Sequence, residues 1–124
     1  MNEARGADLV VIEQPAYSQS GGSTHDRSGF WWMVVGRLLA AEVPVAEVTP
    51  GGVKKYATGS GSSGKDAVLA AVIRRYPAVA VSGNDEADAL VLAAMGARWL
   101  GAPLEASLPA VNLQAMEAVR WPER

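Results

Sequence analysis

The chain has 124 residues, enough for one domain, and 49% of them are hydrophobic, enough to bury a core. It has no cysteine, which excludes disulfides, cysteine-ligated zinc and iron–sulfur clusters. The formal net charge is −2 and the pI about 5.3, so there is no global basic surface, but the charge is unevenly spread. Residues 51–76 hold Lys54, Lys55, Lys65, Arg74 and Arg75 against Asp66 alone, and the rest of the chain is acidic. A basic segment opposite an acidic cleft is what a phosphate-handling site needs. The first eight residues carry Glu3, Arg5 and Asp8 with no apolar h-region, so they do not form a secretory signal. No apolar run reaches the length of a membrane span. The expectation is a cytoplasmic protein with no membrane partner.

In chain order, residues 9–12 are a continuous Leu-Val-Val-Ile run, which predicts a central strand with Glu13 at its C-terminal end. Residues 14–28, with Pro15, Gly21 and Gly22, predict a loop. A helix apolar nearly all round is predicted over 29–41, and a second strand over 43–48 with Pro44 at its start. Residues 50–58 predict a short helix or turn carrying Lys54 and Lys55, and 59–64 a Gly/Ser loop. Helices follow over 65–75 and from Asn84, as N-cap, to about Leu100. Residues 78–81 are compatible with a strand or an extended loop, and a last helix is predicted near 113–120. Strand–helix–strand–helix–helix implies an α/β layer with parallel strands. Two strands are few for an independent sheet, and an apolar strand edge is an aggregation hazard. The chain is therefore expected to be part of a larger fold.

Three carboxylates carry the most chemistry. Asp85 and Asp88 are spaced i, i+3 on one helical face in what reads as the first turn, where the helix dipole favours negative charge. Such acids are often no more than helix-start residues. Asp88, however, directly precedes Ala89-Leu90-Val91-Leu92, which should turn it inward, and a buried carboxylate wants a partner. Glu13 is either a solvated strand end or a third acid converging on the same point. Glu13, Asp85 and Asp88 together suit Mg²⁺ or Mn²⁺ in phosphodiester cleavage. The run Gly59-Ser60-Gly61-Ser62-Ser63-Gly64-Lys65-Asp66 matches both G-x-G-x-x-G and G-x-x-x-x-G-K. No apolar strand precedes it, and Asp66 stands where a P-loop needs Ser or Thr. A flexible loop that brings Lys65 to a backbone phosphate is the better reading. Tyr17 either stacks on an unpaired base or packs on the surface. Trp31 and Trp32 read as core or dimer contacts, and His25, the lone histidine, and Arg27 as loop polar residues.

Taken together, these features resemble the RuvC family of Holliday junction resolvases, in particular its phage and actinobacterial-type members. The residues that carry the resemblance are Val11-Ile12-Glu13-Gln14, the 29–41 helix and Pro50-Gly51-Gly52-Val53-Lys54-Lys55. It continues through Thr58-Gly59-Ser60-Gly61, Lys65 and Asn84-Asp85-Glu86-Ala87-Asp88-Ala89-Leu90. The resemblance implies a single nuclease domain over 1–124 with an RNase H-like fold, reduced to its later parallel strands and helices. It implies a homodimer through the helix bearing Phe30 and Trp31, and Mg²⁺-dependent paired nicking of four-way DNA junctions. Glu13, Asp85 and Asp88 would be metal ligands, and Lys65 a catalytic charge stabiliser. Lys54, Lys55, Lys65 and Tyr17 would contact DNA. The family opens with a strand bearing a first catalytic Asp. Asp8 starts the same strand as Glu13 and cannot replace it, so the chain alone is expected to be inactive or poorly active. The family's junction-wedging aromatic falls at Ala16 here, with Tyr17 next. The alternative expectation is a non-catalytic junction-binding or dimerisation module derived from a resolvase.

Overall fold

The computed structural model describes residues 8–14, 33, 36, 37, 40 and 43–123. Strand β1 (Val10–Glu13) pairs in parallel with β2 (Val45–Val48), with Val10 opposite Val45 and Glu13 opposite Val48. The second strand starts after Pro44, whose carbonyl accepts from the Val10 N–H at 2.9 Å. Proline has no N–H to give to a ladder, so it stands just outside the strand. Among the described residues the sheet has these two strands. Met33, Gly36, Arg37 and Ala40 are helical, as predicted for 29–41, but exposed. The all-round apolar pattern there predicts burial, for which the described part of a single chain offers these four no cover.

Helix α1 (Pro50–Thr58) forms as a full helix because both ends are capped. Thr49 accepts from the Gly52 N–H at 3.0 Å, and Pro50 fills a position whose N–H would be unpaired anyway. At the other end Gly59 adopts φ 91°, and its N–H returns to the Lys55 carbonyl at 2.8 Å. Helix α2 (Lys65–Arg75) falls where the sequence places it, burying Val68, Ala71 and Val72, while Ile73 stays half exposed. Residues 78–81 form turn and irregular backbone.

Helix α3 (Asn84–Trp99) is capped by Gly83 rather than Asn84, which is its first helical residue. Glu86 instead fixes the chain entering the helix by reaching back to Ser82, accepting from its N–H at 3.0 Å and its hydroxyl at 2.7 Å. Helix α4 (Ala110–Glu117) starts at the Pro109 cap, three residues before the predicted start. The core joins one face of α1, α2 and α3 to β2 through Val48, Val53, Tyr56, Val72, Val91 and Met95. Fully burying each of the aliphatic side chains contributes roughly 1.5–3 kcal/mol before entropic costs.

Candidate active site

Side chains alternate along a strand, so Leu9, Val11 and Glu13 share one face of β1. That face meets α3. A Cβ built on Gly96 would lie 2.8 Å from Val11 Cγ2 and 3.3 Å from Leu9 Cδ2. The close approach directs Glu13 toward the N-terminal half of α3, where the acids stand. Asp85 is the second helical residue and is exposed. Asp88 is the fifth and half-buried, so it opens the second turn instead of sharing the first.

Electrostatics join Glu13 and Asp88. Burial holds the Glu13 carboxyl above its ordinary range, the negative charge of Asp88 raises it further, and Lys54 opposes. Burial also raises Asp88, Asp85 adds to the effect, and Lys65 and Lys54 oppose it. Both half-buried carboxylates hold protons more readily than free ones, chiefly because burial strips their water, with Lys54 opposing at both and Lys65 at Asp88. The lysines come from the two helices of the basic segment: Lys54 from α1, half-buried, and Lys65 from the first residue of α2, exposed. Lys55 is half-buried beside Lys54 but is not among the charges acting on either acid. Tyr17, His25, Arg27, Phe30, Trp31 and Trp32 lie outside the described residues.

Glu13 and Asp88 offer hard carboxylate oxygens of the kind a divalent cation takes, and such a cation would relieve the repulsion that Asp88 exerts on Glu13 and Asp85 on Asp88. In that respect the pair fits a metal. Among the described residues, however, no three acidic or histidine side chains form a group arranged to hold one.

The sequence reading misses a second polar cluster. Glu105, nearly fully buried, accepts from the Tyr76 hydroxyl and pairs with Arg98 at 3.3 Å. Arg98 Nε also donates to the Tyr56 hydroxyl at 3.1 Å, and Asn112 Nδ2 to the Tyr56 carbonyl at 3.0 Å. Desolvation and the Glu105 carboxylate push the Tyr76 hydroxyl far above its ordinary range, so it remains a proton donor. Glu105 sits in a loop with no periodic pattern to mark it.

No model of a known protein family matches this chain. Over 86 residues it is 45% identical to the crossover junction endodeoxyribonuclease RuvC of Zymomonas mobilis, a stretch that is 69% of this chain and 52% of that protein. The chain thus spans about half the length of that relative. The Thermus thermophilus RuvC structure superposes with a TM-score of 0.53 at 22% identity, over 77% of this chain and 59% of the other. At that identity the superposition speaks for the fold alone, and the sequence match extends over part of each protein. In sequence and in its RNase H-like fold, the chain is RuvC-like.

Proposed function

We propose that this chain belongs to a Mg²⁺-dependent endonuclease that resolves four-way DNA junctions, of the phage or actinobacterial RuvC type, working as a homodimer in the cytoplasm. The observation that carries the reading is a cluster of charges: Asp88 raises Glu13, Asp85 raises Asp88, Lys54 acts on both half-buried acids and Lys65 on Asp88. Glu13 and Asp88 would hold the metal, with Asp85 joining from the exposed end of the helix. Bound Mg²⁺, or Mn²⁺ in its place, would supply Lewis-acid stabilisation of phosphate charge and a water of lowered pKa. Lys54 and Lys65 place ammonium groups where the scissile phosphate gathers charge, and Lys65 steadies that charge as cleavage proceeds. Lys55 and Tyr17 add contacts to the DNA.

We infer also that the chain alone cleaves poorly. Beside β1 an open apolar groove of about 490 Å³, lined by Leu9, Val11, Leu92 and Leu100 among others, is surface that further sheet would cover. The test is cleavage of a labelled four-way junction in Mg²⁺, by this chain and by a chimera in which the Zymomonas protein supplies the part left unmatched. The chimera is expected to nick symmetrically. Asp88→Asn in it should lower the rate by about two orders of magnitude or more. Undiminished cleavage by that variant would refute the mechanism.

One observation favours a second reading, a non-catalytic junction-binding module: the described residues contain no ready three-acid group. Such a module would bind junctions with a steep salt dependence, and even the chimera would not cut.

A further inference from the structure

Helices α1 and α2 leave an open groove between them of about 420 Å³, whose lining includes Ala67 and Ala70, with Thr58, Arg74 and Arg75 at its edges. Ala67 and Ala70 project only methyl groups, so an extended backbone can approach the helices closely. The edges are cationic. Arg75 Nη1 donates to the Tyr56 and Ala57 carbonyls at 3.2 and 2.8 Å, which orients the guanidinium without cancelling its charge. Arg74 is exposed. Among the described residues the one ion pair joins Arg98 to Glu105, so neither groove arginine has a carboxylate partner there. Asp66, the single acid of the segment, does not line the groove.

Two adjacent guanidinium groups without counter-charge repel each other, and a polyanion relieves that repulsion. The groove also shares its two helices with the lysines that act on the acids, Lys54 on α1 and Lys65 on α2. Thr58 at its edge lies one turn beyond Lys54, and its hydroxyl donates to the Lys54 carbonyl at 2.9 Å. Lys54 in turn faces Glu13 and Asp88 electrostatically. From Ala67 to Arg74 the helix rises roughly 10 Å, about three base-pair steps of a duplex.

We propose that this groove seats the sugar–phosphate backbone of a duplex arm leaving the acid pair, with Arg74 and Arg75 as its phosphate contacts. The inference rests on the reading that branched DNA is the substrate. It is tested by fluorescence anisotropy with a labelled four-way junction in EDTA, titrated with salt, so that no cleavage is needed. Arg74→Ala should weaken binding about three- to tenfold and lower the slope of log K against log salt by about one. Ala70→Glu, at an exposed position that the fold tolerates, should weaken binding more than tenfold by placing a carboxylate in the groove. If the unsubstituted chain binds the junction and both variants match it in affinity and slope, the groove is overturned while the substrate reading stands. If the unsubstituted chain binds no junction at about 50 mM salt, the substrate reading falls and takes the groove with it.

Discussion

Glu105 and the Glu13–Asp88 pair are the same chemistry in opposite surroundings. Glu105 has a side chain only 4% exposed, yet Arg98 and the Tyr76 hydroxyl both answer its charge. Glu13 and Asp88 are less buried, yet burial and a neighbouring acid, Asp88 for Glu13 and Asp85 for Asp88, make each harder to ionise, while Lys54 opposes at both and Lys65 at Asp88. The difference sets an acid whose charge is answered within the fold apart from the acids to which the proposed function gives a metal. Burial alone therefore does not distinguish the two sets of acids, whereas the sign of the neighbouring charge does.

The sharpest way to test that contrast is to remove charge from each side and compare the sign of the effect. Glu105→Ala leaves Arg98 without its carboxylate and Tyr76 without its acceptor, and should destabilise the chain by about 3 kcal/mol. Urea denaturation would show this as a lower midpoint at unchanged slope. An unchanged midpoint would mean the cluster is not structural.

Gly96→Ala comes next. Its methyl group would meet Val11 Cγ2 at 2.8 Å, on a stiff β-branched side chain that cannot swing aside. A loss of about 2 kcal/mol is expected, with β1 displaced from α3. A thermal melt shifted by less than a degree would show that the approach is looser than described.

The smallest effect has the opposite sign. Glu13→Gln or Asp88→Asn without metal should stabilise the fold slightly, by less than about 1 kcal/mol after solvent screening. Both acids are held above their ordinary values, so over that pH interval the folded state keeps protons that the unfolded chain has released. Stability therefore falls as pH rises through the interval and stays low above it. Denaturation midpoints across acidic pH should show this slope in the native sequence and a flatter one in Asp88→Asn. A destabilised Asp88→Asn would place Asp88 with the structural acids.

Much of the fold can be read along the chain where local signals agree. Lys65–Arg75 was legible because Gly64 precedes a run with Val68, Leu69 and Val72 on one face. Val10–Glu13 was legible as an unbroken branched apolar run. The N-cap of α3 lies one residue before the one the sequence suggests, because Asn84 is the stronger capping type, while the cap in the structure is Gly83. The start of α4 was missed because Pro109 reads equally as a loop residue. Of the site, the acids and the two lysines were visible as residue types in order. The Glu105 cluster was not, since a loop carboxylate acquires its partners only from the tertiary fold, across 29 residues to Tyr76 and 7 to Arg98.

The missing side chain at Gly96 also has a mechanical meaning. It lets α3 rest against β1 as a beam rests on a fulcrum, with Asp88 eight residues along the longer arm, roughly 12 Å away. A tilt of about 5° at that bearing swings the carboxylate by about 1 Å, a displacement that can cost about a hundredfold in rate when it misplaces reacting groups. The alignment of the acids thus depends on a position that has no chemistry of its own.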